Sequence, residues 1–255
     1  MFGKGDGTFT AATNYPVGPN PTAIIIGDFN DDSKPDLVVA NPNNIASPTP
    51  GNSISLLLNT GRGSFGPRTD IPVGDGPYAL AKGDFNKDGK LDLAVTLVGS
   101  NYQGKTVAVL LGDGAGFFTA LNTFTVESGP TAITAADFNG DNKLDLAVAS
   151  LFLNEVSLLL GDGTGSFAPP TTFGVGDQPN SLVVGDFNRD GKKDLAVAAG
   201  NYGNIAILPG NGAGGFGSER HVNMGQDVSL LTSAVLANVT VDSKLDLVAL
   251  ATVEK

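Results

Sequence analysis

One unit repeats five times, each copy holds four short strand-like runs between turn residues, and no stretch offers an amphipathic helix. These three observations predict an all-β fold, a β-propeller of four-stranded antiparallel blades. The repeat is plainest in GDFNDDSKPDLVVA from Gly27, GDFNKDGKLDLAVT from Gly83, ADFNGDNKLDLAVA from Ala136 and GDFNRDGKKDLAVA from Gly185. A degraded copy, ANVTVDSKLDLVAL, starts at Ala237. Successive copies lie 56, 53, 49 and 52 residues apart, and the uneven spacing puts insertions in loops.

In the first unit the expected strands are Thr22–Gly27, Leu37–Ala40, Ile54–Leu58 and a fourth around Phe65–Val73. Runs such as AIII, DLAVA and SLLL are short, β-branched and bounded by Gly or Pro, which suits strands and not helices. A glycine-rich turn recurs as KGDGTF at Lys4, NTGRGSF at Asn59, LGDGAGFF at Leu111, LGDGTGSF at Leu160 and PGNGAGGF at Pro209, a hairpin signal. A Pro-containing turn leads into each first strand, as in VGPNPTAIII, VGDGPYALAK, ESGPTAITA and VGDQPNSLVV. The units span about 22–73, 78–126, 131–175, 180–224 and 229–255, with 1–20 reading as the end of a blade, all within one propeller domain, 1–255. Two closures fit this order: five blades with N-terminal strands completing the last, or a fragment of a six- or seven-bladed propeller. A parallel β-helix would need shorter rungs, and two sandwiches would not explain one motif repeated five times.

Composition narrows the function. The 255 residues carry a net charge of −11, with 22 Asp against 4 Glu, and Asp belongs to turns and metal loops. No basic stripe is present to neutralise phosphates, so nucleic acid and anionic membrane surfaces are disfavoured as partners. Every apolar run is interrupted short of a membrane span, and membrane insertion is not expected. With no cysteine, disulfides, zinc-thiolate sites and Cys nucleophiles are excluded. The start, MFGKGDGTFT, lacks the apolar core of a signal peptide, which leaves export by another route or an excised domain.

The acidic loops carry the chemistry. Counting the first acid as position 1, oxygen side chains fall at positions 1, 3, 5 and 9: Asp28, Asn30, Asp32 and Asp36; Asp84, Asn86, Asp88 and Asp92; Asp137, Asn139, Asp141 and Asp145; Asp186, Asn188, Asp190 and Asp194. Three carboxylates within nine residues repel one another unless a cation sits among them, and a flexible oxygen cage suits Ca²⁺. Position 7 is Lys34, Lys90, Lys143, Lys192 and Lys244, expected to ligate through the backbone carbonyl with the side chain in water. The fifth loop, Asn238, Thr240, Asp242 and Asp246, lacks the first carboxylate and is expected to bind weakly or not at all. The plainer alternative is a set of Asx-turns. Position 12, where an EF-hand needs Glu, holds Val39, Val95, Val148, Val197 and Ala249, so each loop runs into a strand. Phe29, Phe85, Phe138 and Phe187 at position 2 read as plugs between blades.

These loops resemble the FG-GAP/VCBS repeat family, which includes the propeller of integrin α subunits; GDFNKDGKLDL and GDFNRDGKKDL match its D-x-[DN]-x-D-G-x-x-D-L motif throughout. The resemblance implies structural Ca²⁺ between strands one and two, an extracellular or cell-surface setting, and a role in adhesion or ligand binding. This chain departs from the pattern at Ser33 and Asn142 in place of the loop glycine, and in the degenerate fifth loop.

A non-enzymatic module is the expected function. The one histidine, His221, has no partner constellation and reads as a surface imidazole. A protein or glycan ligand is expected at the end opposite the acidic loops, where Tyr78, Tyr102 and Tyr202 are candidate contacts or loop plugs. An accessory module of a larger secreted enzyme, with a carbohydrate-binding role, is the alternative.

Overall fold

The computed structural model describes residues 1, 3–42, 51–199, 204–223, 228–237 and 246–253. The first sheet holds β1 (Ala23–Gly27), β2 (Asp36–Asn41) and β3 (Ser53–Leu57). After β3 a two-stranded ribbon forms from β4 (Asn59–Gly61) and β5 (Ser64–Phe65), and β6 (Thr69–Pro72) then closes the sheet in the order β1-β2-β3-β6. The fourth strand is thus shorter than expected and starts later. The glycine-rich segment folds back on itself as a separate ribbon, with Gly61 and Gly63 at φ of 100° and 72°.

The pattern recurs. The second sheet is β7 (Pro77–Gly83), β8 (Asp92–Leu97), β9 (Thr106–Gly112) and β10 (Phe118–Thr125), with a short 3₁₀ turn at Ser100–Tyr102. The third is β11 (Pro130–Ala136), β12 (Asp145–Ser150), β13 (Glu155–Leu159) and β14 (Thr171–Gly174). The fourth is β15 (Pro179–Gly185), β16 (Asp194–Ala199), β17 (Asn204–Leu208) and β18 (Arg220–Asn223). All pairings are antiparallel.

Second and third strands are apolar on both faces because each sheet is covered on both sides. Val38, Ala40, Ile54 and Leu56 of the first sheet meet Leu93, Val95, Ala108 and Leu110 of the second. The other face of the second, Ala94, Val107 and Val109, meets Leu146, Val148 and Leu159 of the third. The third packs on the fourth in the same way through Ala147, Ala149, Val156 and Leu158. The first strands pack in succession, β1 on β7, β7 on β11 and β11 on β15. Between these four strands lies a cavity of about 300 Å³ lined by Ile25, Leu80, Ile133 and Leu182 among others. Sheets packed face to face around a shared inner cavity are the radial arrangement of a β-propeller.

A fifth sheet holds β19 (Val228–Ala237) and β20 (Asp246–Val253). Among the described residues no strand of 1–22 joins it, which corrects the expected completion of the last blade by N-terminal strands. That segment lies against the outer face of the first sheet: Gly18 donates its N–H to Ser55 Oγ at 3.3 Å, and the Tyr15 ring meets Phe65 edge-on at 5.2 Å. Pro16, Pro19 and Pro21 remove the N–H donors that a sheet strand there would need.

Candidate functional site

Each acidic loop joins the first strand of a sheet to its second, and its own side chains organise it. In the second loop Asp84 accepts N–H bonds from Asp88 at 3.1 Å and Gly89 at 2.9 Å, Asn86 Oδ1 accepts from Asp88 at 3.0 Å, and Asp88 accepts from Lys90 at 3.0 Å. The first, third and fourth loops repeat these bonds. Position 6 needs a left-handed backbone, supplied by Gly89 and Gly191 at φ of 85° and 84° and imposed on Ser33 and Asn142 at 63° and 61°. The Asx-turn alternative is therefore realised at hydrogen-bond level.

Position 9 has a separate task. Asp36, Asp92, Asp145 and Asp194 are fully buried. Asp92 Oδ2 accepts from Phe85 N–H at 2.8 Å and Oδ1 from Gly112 N–H at 2.8 Å, which ties the loop to the end of the third strand. Asn59, Gly161 and Gly210 donate in the same way in the other sheets. Gly112, Gly161 and Gly210 leave no room for a Cβ, which would collide with the carbonyls of Leu91, Leu144 and Lys193. Burial pushes the carboxyls of Asp36, Asp92 and Asp145 up, backbone N–H bonds pull part of that back, and the carboxylates at positions 5 and 1 raise them further.

The lysine at position 7 keeps its side chain at the surface, as expected, and adds an ion pair: the side chains of Lys34, Lys143 and Lys192 are 43%, 34% and 44% exposed, and their ammonium groups lie 2.8, 3.3 and 3.9 Å from Asp32, Asp141 and Asp190. A run of carboxylates draws the nearest cation, although pairs this exposed contribute little. The hydrogen bond from Lys34 holds the Asp32 carboxyl below the usual carboxylate range.

Among the described residues no group of three or more Asp, Glu, His or Cys is gathered as a metal cage. The donor chemistry nonetheless fits a hard cation. Each loop carboxylate has about four acceptor positions, and the loop N–H groups use only some of them. The residues that would ligate are positions 1, 3, 5 and 9 and the position-7 carbonyl of the first four loops. Asn238, Thr240, Asp242 and Lys244 lie outside the described residues, and Asp246 opens β20.

The contact between sheets expected of the loop phenylalanines is built on the same loops, and the structure supplies its partners, which the sequence did not name. The loop phenylalanine of one sheet meets a ring from the glycine-rich turn of the next: Phe29 with Phe118 at 6.3 Å, Phe85 with Phe167 at 5.7 Å, Phe138 with Phe216 at 5.5 Å. In the same three places a turn glycine donates its N–H to that loop phenylalanine's carbonyl: Gly116 to Phe29 at 3.0 Å, Gly165 to Phe85 at 2.9 Å, and Gly214 to Phe138 at 3.3 Å. The recurring G-x-F of each turn was the available signal.

At the opposite end, where first strands begin and second strands finish, two of the three candidate tyrosines come together. Tyr78 and Tyr102 meet edge-on at 5.7 Å, and Tyr102 meets Phe152 at 6.4 Å. Tyr202 lies outside the described residues. Phe152 and Leu153, which the sequence reading passed over, occupy in the third unit the loop that holds Tyr102 in the second. His221, on β18, is exposed and lies 2.9 Å from Glu219. No helix among the described residues is long and apolar enough to cross a membrane.

The profile of the FG-GAP-like repeat matches residues 28–95, 96–148 and 150–197, and that of the FG-GAP repeat matches 179–217. No curated protein sequence matches significantly. Among solved structures the chain is similar to an Agrocybe aegerita lectin that specifically recognises non-reducing terminal N-acetylglucosamine. They share 19% identity at a TM-score of 0.57, over 91% of this chain and 61% of the lectin. It is also similar to BBS1N, solved in complex with ARL6DN, at 15% identity and a TM-score of 0.61, over 93% of this chain and 66% of that one. A functionally unknown protein from Desulfotomaculum acetoxidans matches at 14% identity and a TM-score of 0.59, over 86% and 60%. At such identities the likeness is one of fold, and the chain spans only 60–66% of the length of these structures.

Proposed function

The chain belongs to the FG-GAP repeat family, and from that premise we propose that residues 1–255 form a non-enzymatic propeller module that holds structural Ca²⁺ in its acidic loops and binds a partner at the opposite end. The observation that carries the reading is the fourfold recurrence of one loop geometry, in which partly to fully exposed oxygens at positions 1, 3 and 5 accompany a buried Asp at position 9. A divalent ion there would offset the mutual repulsion of three carboxylates in a chain that has no disulfide. At a free concentration of about 100 Kd, each site would add roughly 2.7 kcal/mol.

Four ions, one in each of the first four loops, would bring the net charge of −11 to about −3. Adhesion or ligand binding at the cell exterior fits such a module, since extracellular Ca²⁺ sites work at high ion concentrations. The partner is a protein or a glycan. The test is thermal melting of ion-free protein against protein in millimolar Ca²⁺. The reading expects a large rise in Tm that EGTA reverses and Mg²⁺ does not reproduce; an unchanged Tm refutes it.

A second reading, an accessory module of a larger secreted enzyme, is favoured by one observation: the matched structures are longer than this chain. The lectin's recognition of a terminal sugar makes a carbohydrate ligand the form of that reading to test first.

A further inference from the structure

Inside the chain each acidic loop receives the glycine-rich turn of the following sheet. The loop phenylalanine meets the turn's ring and its carbonyl takes the turn glycine's N–H, at Phe29, Phe85 and Phe138, and all three are buried. The fourth loop differs. Phe187 packs on the fourth sheet but is only half-buried, and among the described residues no ring meets it and no N–H reaches its carbonyl.

A turn of the matching kind stands at the other end of the array. Gly3 bridges Phe9 as Gly161 bridges Phe167 and Gly210 bridges Phe216, and Lys4 N–H bonds the Thr8 carbonyl at 3.0 Å as Asp162 N–H bonds that of Ser166 at 3.0 Å. Gly5 and Gly7 both hold φ of 82°, close to the 79° and 83° of Gly163 and Gly165. Yet the Phe9 ring is 63% exposed, and nothing lies within 4 Å of where a Gly7 Cβ would stand, whereas Gly116, Gly165 and Gly214 sit against Leu58, Leu111 and Leu160 of the preceding sheet. Tyr15 fixes this segment's place in the order. Its ring meets Phe65 at 5.2 Å, as Phe124 meets Phe167 at 5.2 Å and Phe173 meets Phe216 at 5.0 Å, each time an outer strand against the turn of the next sheet. Residues 3–17 thus act as the turn and outer strand of a sheet placed before the first, while β19 and β20 supply the first two strands of a fifth.

Within one molecule these halves stay apart. β19 packs on β15, yet Ile24 of β1, in the place of Leu80 and Ile133, is exposed, so the fifth sheet does not close onto the first. Charge favours their meeting between molecules. Gly114 lies against the Asp31 carboxylate of the preceding loop, and the corresponding residues at the two ends are Gly5, next to Asp6, and Arg189. Opposite charges would therefore face each other in a chain of net charge −11, where most other approaches repel.

We infer that this chain associates head to tail with a second copy of itself. The turn Gly3–Phe9 of one copy enters the fourth acidic loop of the other, with Phe9 against Phe187 and the Gly7 N–H on the Phe187 carbonyl. The contact continues between molecules the interface that joins successive sheets within one. Its two surfaces differ, so it is heterologous and builds a ring if the rotation closes and a filament if it does not. The inference needs no ligand at the opposite end.

Sedimentation velocity of the full chain over a range of concentrations in millimolar Ca²⁺ tests it, together with cross-linking, which the lack of native cysteine makes site-specific. The sedimentation coefficient should rise with concentration. Phe9→Ala should move that rise to about tenfold higher concentration, as loss of a central aromatic contact does, with unchanged melting because the ring is exposed. Phe117→Ala, which removes an exposed ring from a turn already engaged, should leave it in place. Chains with Asp6→Cys and chains with Arg189→Cys should be joined by a short bismaleimide when mixed, and neither should join to its own kind. The turn should tolerate the first change, since Ala115, Thr164 and Ala213 hold the same position elsewhere. A monomer at every concentration, or association that Phe9→Ala does not weaken, overturns the inference. Cross-linking of Asp6→Cys chains with one another would reveal a symmetric contact and also overturns it. So does a link formed inside single molecules that carry both substitutions at concentrations where the chain is monomeric, because the occupant would then be the chain's own turn.

Discussion

Asp92 does two jobs that pull in opposite directions. Buried, it accepts N–H bonds from Phe85 and Gly112, yet burial makes its ionised form costly. Asp92→Ala leaves both donors buried without an acceptor, and at roughly 1–3 kcal/mol per donor the loss should be about 2–6 kcal/mol, read as a lower denaturation midpoint with an unchanged slope. Its pH dependence has a definite sign. A carboxyl raised in the folded state keeps its proton to higher pH than the unfolded chain does. The stability this confers is full below the ordinary value and is lost as pH rises through the raised one. In ion-free buffer, wild type should therefore lose stability relative to Asp92→Asn as pH rises above about 4, the ordinary carboxyl value. With Ca²⁺ present the trend should reverse, because a ligand carboxylate is held ionised. A flat difference in both conditions would show that Asp92 is neither strained by burial nor coupled to an ion.

At the scale of elements, the acidic loop and the glycine-rich turn are one device shared by neighbouring sheets. Phe85 is buried against Phe167 of the next sheet, and its carbonyl accepts the N–H of Gly165. Phe85→Ala should cost about 3–5 kcal/mol, as for other large core truncations. Gly165→Ala should also destabilise, because φ there is 83° and a Cβ would press on Leu111. Urea titrations of the two single variants and the double variant measure the coupling: strict additivity would mean that ring and turn act independently.

Loops and inner strands were legible in the sequence because local chemistry sets them: Asx-turns need only near neighbours, and alternation or full burial marks a strand. That Phe29 plugs the seam between blades was legible too; its partner Phe118 was not, since the two lie in different repeats and Phe118 looks like ordinary core. The pairing of Lys34 with Asp32 was not legible for another reason: it depends on the field of the surrounding carboxylates and not on the spacing that marks the position-7 carbonyl.

On the scale of the molecule, burial follows the neighbour and not the residue. Ile24, Leu80 and Ile133 occupy the same place in their first strands, yet Ile24 is 59% exposed while the others are 8% and 9% exposed. Each inner-strand face is covered by the preceding sheet, and Ile24 faces only the N-terminal segment. Ile24→Ser should therefore change stability by no more than about 0.5 kcal/mol, while Leu80→Ser costs several times that, as core substitutions do. Equal effects would mean that the sheets do not stack in this order. The sequence carried the repeat and the radial stacking; the way the array ends was hidden, because a terminal face has the same residues as an interior one. What holds the rim rigid is the account's central claim, and a crystal grown in millimolar Ca²⁺ tests it most directly. The account predicts an ion in each of the first four loops, bound by the oxygens of positions 1, 3, 5 and 9 and the position-7 carbonyl at about 2.3–2.6 Å. Density for water alone at Asp28, Asp84, Asp137 and Asp186 would contradict it.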